Sequence, residues 1–177
     1  MKMERTNHSN IYKAIHWGTA VLVALAFLMI WVSEGFEDTP VEEQIIRVHT
    51  WIGLTILFLF LPRILITAIG FNRTPINSWQ EALARIIHDI IYFCMFALPI
   101  MGILILHYDG VDINFFGLML QEAGEKNKEM AHIAEEIHEF IANVFLIVLG
   151  LHLIGALKRH FIDKQDVLTK MFFKNKN

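Results

Sequence analysis

An all-α, membrane-spanning bundle of four up-and-down helices is the fold this sequence predicts, on three observations. Its 177 residues are 55% hydrophobic, with a mean hydropathy of +0.46, too apolar for an ordinary water-soluble domain. The apolar residues gather in four runs, at 14–33, 48–69, 86–106 and 137–157, each about the 20 residues that a helix needs to cross a bilayer. The connections between the runs alternate in charge, basic on one side and acidic on the other, as the connections of a chain that crosses back and forth should. Residues 1–177 are therefore expected to form one transmembrane domain.

The first run follows Lys2, Arg5 and Lys13, a beginning it shares with signal peptides. Its apolar core is too long for one, and no small-residue cleavage site precedes Glu34-Gly35-Phe36-Glu37, so a retained helix is the preferred reading. The second run carries Pro62 and the third Pro99, both tolerable where neighbouring helices re-satisfy the freed carbonyls. Phe115-Phe116-Gly117-Leu118, in the longer acidic connection, reads as a segment lying on the membrane surface. Glu135 and Glu136 predict that the fourth helix starts a turn or more outside the lipid. Trp17, Trp31, Trp51 and Trp79 fall near predicted helix ends, as interfacial anchors do.

Charge orients the bundle. Basic residues mark the N-terminal tail, the connection with Arg73 and Arg85, and the C-terminal tail with Lys158, Arg159, Lys164, Lys170, Lys174 and Lys176. Glu34, Glu37, Asp38, Glu42 and Glu43 fill one of the other connections, and seven further carboxylates, from Asp109 to Glu136, fill the second. The positive-inside rule then places both termini in the cytoplasm. The single cysteine, Cys94, lies in an apolar run, so disulfides play no part, and no basic patch points to nucleic acid.

The chemistry lies with the histidines. His138 and His152 are fourteen residues apart, which leaves both on one helix face and about 21 Å apart along the axis. With the termini inside, depth pairs His16 with His152 near the inner surface and His49 with His138 near the outer one. Histidine in a membrane span is costly and marks function. Facing imidazoles at two depths in a four-helix bundle suit two haems, each held from both axial sides. Arg63 lies on the His49 face at the depth of the inner pair, where a haem propionate is a ready partner for a buried guanidinium. Polar cross-bonding of the bundle, or a proton or metal pathway, are the competing readings; zinc is the weaker metal, with no cysteine and few carboxylates at those depths. His107 reads as interfacial, and His8 and His132 as exposed tail and loop residues.

Several short motifs then resemble the bacterial cytochrome b561 family in order and spacing over nearly the whole chain. They are Ile15-His16-Trp17, Arg47-Val48-His49, Pro62-Arg63, His88 with Ala97-Leu98-Pro99-Ile100-Met101-Gly102, Phe116-Gly117-Leu118, and the His138/His152 pair. The resemblance implies a di-haem b membrane protein whose axial ligands match His16, His49, His138 and His152, and short stand-alone members include a superoxide oxidase that reduces ubiquinone. It also implies a quinone near the inner haem, with His88 taking part. A further family histidine falls on Arg159, with His160 adjacent; Arg159 can donate a hydrogen bond but cannot shuttle a proton at neutral pH. His88 and Asp89 are candidates for quinone hydrogen bonding and proton supply, against simple solvation of a helix end.

Three functions follow. The first is a superoxide:ubiquinone oxidoreductase with two haem b groups. The second is a non-enzymatic electron-transfer subunit joining the quinone pool to a partner dehydrogenase, hydrogenase or periplasmic cytochrome. The third is a haem-free proton or metal transporter. The acidic outer connections strain the first, because superoxide is an anion; only Arg47, Lys126 and Lys128 offset them, and such a face suits a basic electron carrier.

Overall fold

The computed structural model describes residues 10–70 and 78–171. Lys2, Arg5, His8, Arg73, Lys174 and Lys176 lie outside the described residues, as does the side chain of Lys170. Four long helices are present: α1 (Asn10–Ser33), α2 (Pro40–Gly70), α3 (Trp79–Asp109) and α4 (Lys128–Leu157). All four are long and apolar enough to span a membrane. α1 packs on α2 and α3 on α4, and the two pairs join through α2 and α3.

The helices overrun their apolar runs. α2 begins at Pro40 rather than 48, α3 at Trp79 rather than 86, and α4 at Lys128 rather than 137. Hydropathy marks only the part that sits in hydrocarbon, whereas caps decide where each helix starts. Thr39 precedes Pro40, whose missing N–H costs nothing in a first turn. Thr39 Oγ1 accepts from the Glu42 N–H at 3.4 Å, and Glu42 Oε2 accepts from the Asp38 N–H at 2.8 Å. Ser78 Oγ accepts from the Glu81 N–H at 3.3 Å, and Asn127 Oδ1 from the Met130 N–H at 3.1 Å. α3 stops at Gly110, whose φ of +71° suits glycine: its N–H meets the His107 carbonyl, and the Val111 N–H meets that of Leu106. Both prolines stay inside continuous helices, Pro62 in α2 and Pro99 in α3.

The segment expected on the membrane surface is a β-hairpin, β1 (Ile113–Phe115) and β2 (Leu118–Gln121). Phe116 and Gly117 form its turn with φ of +48° and +87°, the left-handed pair that a two-residue hairpin of native twist demands. The hairpin lies against α2: Trp51 Nε1 donates to the Asn114 carbonyl at 2.8 Å and its ring stacks on Phe116 at 4.7 Å. Phe116 is 71% exposed and Leu118 and Met119 are exposed beside it, so the tip offers an apolar surface.

Beyond α4, a π-helical turn at Lys158–Ile162 and a short α5 (Val167–Met171) bring the chain back to α1, where Trp17 Nε1 donates to the Met171 carbonyl at 3.0 Å. This return was not expected from the basic tail. The core at mid-bundle contains Val23, Ile56, Phe60, Ile91, Cys94, Met95, Phe145 and Val148. Leu61, Leu65, Phe93, Phe140 and Ile147 are exposed outside it, an inside-out distribution that lipid tails solvate and water does not.

Candidate functional site

The connectivity gives the bundle a termini end, where α1 and α3 begin and α2 and α4 finish, and a hairpin end. His49 and His138 lie at the hairpin end and His16, His88 and His152 at the termini end; of the two expected pairs, His49 with His138 is the one described face to face, whereas the described contacts of His16 and His152 are with Arg63 and His88.

At the hairpin end, His49 of α2 and His138 of α4 face one another with ring centroids 6.3 Å apart and planes at 64°. They line a cavity of about 560 Å³ to which all four helices contribute. His49 Nδ1 donates to the Ala26 carbonyl at 3.0 Å; since a carbonyl can only accept, the lone pair of this ring sits on Nε2. His138 Nδ1 is buried and makes no hydrogen bond within bonding geometry, although the Leu98 backbone stands close enough to act on the ring. Gly53, one turn after His49, also lines the cavity, and a Cβ placed there meets nothing within 4 Å. A Cβ on Gly102 would lie 3.8 Å from the His138 ring. Glu34, Glu135 and Glu139 are the charged residues of the cavity lining, so its wall carries carboxylates and no Lys or Arg.

At the termini end, Arg63 is only 8% exposed, and its Nη2 donates to His16 Nδ1 at 2.9 Å. His152 meets His88 edge to face, with centroids 5.0 Å apart. Arg63 links these two contacts, because its charge acts on both His88 and His152. Arg159 also acts on His88. His160 turns away from this group: its Nδ1 lies 3.3 Å from the Gln165 carbonyl in the segment leading to α5. Asp89 is exposed beside His88. His107, read as interfacial, accepts through Nδ1 from Gln121 Nε2 at 2.7 Å and so ties β2 to α3. His132 is an exposed partner of Glu135 and Glu136.

Three residues of these two sites escaped the sequence reading: Tyr12, Tyr92 and Gly53. They share a signal that was available. Tyr12 precedes His16 by four residues, Gly53 follows His49 by four, and Tyr92 follows His88 by four, one turn along the same helix face in each case.

The His49–His138 pair fits a bis-imidazole metal group on its own geometry. Two imidazoles facing one metal at about 2.0 Å per bond place their centroids about 6 Å apart. The cavity lies within the range of about 300–1,000 Å³ typical of cofactor sites. The bared face of Gly53 and the unmatched His138 Nδ1 are what a flat group between the rings would explain. Among the described residues, no three His, Cys, Asp or Glu side chains converge as a metal cluster.

Known proteins repeat this arrangement of sequence. A family model for prokaryotic cytochrome b561 matches residues 7–174. The chain is 32% identical over 173 residues to the probable superoxide oxidase CybB of Yersinia pestis, covering 96% of this chain and 97% of that one. It is 26% identical over 178 residues to cytochrome b561 homolog 1 of Escherichia coli K12, covering 98% and 100%. Against cytochrome b561 homolog 2 of the same strain it is 31% identical over 179 residues, covering 93% and 90%. Four apolar helices, histidines from different helices meeting within them and a family match over nearly the full length lead to one conclusion: the chain belongs to the prokaryotic cytochrome b561 family, bacterial membrane electron-transfer proteins that bind haem b.

Proposed function

We propose that the protein is a di-haem superoxide:ubiquinone oxidoreductase of the bacterial inner membrane, with both termini in the cytoplasm. The observation that carries the reading is the facing of His49 and His138 across a cofactor-sized cavity, together with the likeness to a probable superoxide oxidase. His49 and His138 would hold the outer haem; His16 and His152 are the candidates for an inner one, which would have to displace the contacts of His16 with Arg63 and of His152 with His88, freeing Arg63 to pair with a haem propionate. Haem b supplies the one-electron chemistry. Overall, two superoxide anions give up one electron each, and one ubiquinone takes both with two protons.

The chain's own residues do the rest. The Ala26 carbonyl fixes the His49 tautomer, so that the Nε2 lone pair is the one that would hold the iron. His88, placed against His152 and exposed at the surface, is positioned to hydrogen-bond a quinone oxygen, with Asp89 beside it to relay protons from the cytoplasm. Arg159 supplies a fixed charge to this corner; His160, turned toward Gln165, is the weaker candidate for proton supply.

The carboxylates of the outer cavity favour a second reading. Glu34, Glu135 and Glu139 repel an anion and attract a basic periplasmic electron carrier, which would make the protein an electron-transfer subunit. One experiment separates the two. Purified, haem-replete protein with ubiquinone should consume superoxide well above its spontaneous dismutation and form quinol in step. A preparation inert to superoxide that exchanges electrons with a basic carrier, faster at low salt, would replace the first reading with the second.

A further inference from the structure

The His49–His138 cavity opens on one side. Of the residues that line it, the exposed ones are Trp31 of α1, Glu34 just past its end, and Glu135, Glu139, Asn143 and Leu146 of α4. Every lining residue of α2 and α3 is buried or half-buried. Helix packing gives the reason: α1 packs on α2, α2 on α3 and α3 on α4, which leaves the seam between α1 and α4 the loosest of the four. Phe27 and Phe145, with ring centroids 6.1 Å apart, bridge that seam towards mid-bundle. From Glu135 to Leu146 the exposed positions recur at i, i+4, i+8 and i+11, one stripe of α4, so the opening is a slot about 16 Å long at the rise of a helix. The hairpin covers the other side, where it bridges α2 and α3 through Trp51 to the Asn114 carbonyl and through Gln121 to His107.

A bis-histidine iron has no coordination position left for a donor, so an electron reaches it through the edge of the macrocycle. We infer that the slot between α1 and α4 is the gate through which a haem on His49 and His138 exchanges electrons, with Glu34 and Glu139 as the charges on its two jambs. The inference rests on the reading of His49 and His138 as haem ligands, and it holds for either donor of the proposed function. One electron crosses per encounter, the donor losing it and the ferric iron gaining it, with no bond made or broken. The jambs give the gate a sign: their carboxylates attract a positive redox partner and repel a negative one, and salt screens both effects. Glu135 lies on the same stripe but also pairs with His132, so Glu34 and Glu139 are the cleaner probes.

The test mixes reduced, haem-replete protein in detergent with two one-electron oxidants of similar potential and opposite charge, and follows the haem bands by stopped flow. The oxidants are the trication tris(phenanthroline)cobalt(III) and the trianion ferricyanide. Glu34→Gln/Glu139→Gln should slow the cobalt complex and speed ferricyanide, each by about three- to tenfold at low ionic strength, and both changes should vanish in high salt. Opposite changes cannot come from a shift in haem potential, which would move both rates the same way. Glu122→Gln/Glu125→Gln removes the same charge from the exposed connection after the hairpin, and should change either rate by less than about twofold. Asn143→Trp fills the slot without altering its charge, and should slow both oxidants together. Equal effects of the two Gln pairs, no effect of the slot pair, or full haem and unchanged rates in Asn143→Trp overturns the inference. The Gln pair keeps the shape of the slot, so it decides alone if Asn143→Trp loses haem. Unsubstituted protein lacking the spectrum of low-spin bis-histidine haem would instead end the reading of His49 and His138; an intact spectrum with rates indifferent to the slot would end only the gate.

Discussion

Replacing Gly53 by leucine should move haem content and the stability of the haem-free bundle in opposite directions. Gly53 lies one turn after His49, lines the cavity of about 560 Å³, and has open space where its side chain would be. Lipid tails are as apolar as leucine, so the transfer term that burial provides in water largely cancels here. Packing against the cavity wall remains, together with relief of a glycine inside a helix, the latter about 0.5–1 kcal/mol. The haem-free protein should therefore gain about 1 kcal/mol. A group held between His49 and His138 would meet the same side chain as overpacking, at a cost of about 1–3 kcal/mol, or roughly 5- to 150-fold weaker retention of the outer haem. Haem per protein from the pyridine haemochrome, with reduced-minus-oxidised spectra, reads the second effect, and thermal unfolding of haem-free protein in detergent reads the first. Full haem content with unchanged bands would refute the placement of the cofactor. A haem-free variant destabilised as much as the loaded one would show Gly53 to be needed for helix packing instead.

His138→Ala should leave about half the haem and remove the outer spectral component, whereas His152→Ala should remove the inner one; equal loss of both from either change would refute the pairing by depth. Gly124→Ala places a Cβ 2.5 Å from the His107 ring, which must shift and give up its bond from Gln121, so the hairpin amides should lose about 1–2 kcal/mol of hydrogen-exchange protection while both haems stay bound. Unchanged protection there would mean that His107 does not clasp the hairpin.

Some of the architecture could be read without coordinates because it depends on spacing along one chain. Twenty-residue apolar runs have one stable solution in lipid, a helix, since backbone groups cannot remain unpaired there. Thr39-Pro40 with Glu42, and Ser78 with Glu81, are local start signals that the apolar runs overlooked. The hairpin was harder, because two strands of three and four residues give too short an alternation to separate from an interfacial loop. The meeting of His49 with His138 followed from depth alone, since both helices must traverse the same thickness.

What the sequence determined by itself therefore lies along the helix axes: four apolar runs long enough to cross a membrane, and which end of the bundle holds His16, His49, His88, His138, His152 and Arg63. What only the tertiary structure decided lies in the membrane plane. It turned Arg63 onto His16 and Tyr92, brought His88 to His152, and turned His160 toward Gln165. It also lined the His49–His138 cavity with Glu34, Glu135 and Glu139. The physical reason is that depth accumulates residue by residue at a fixed rise, whereas rotation about each helix axis and the choice of neighbour are settled only when side chains from several helices pack at once.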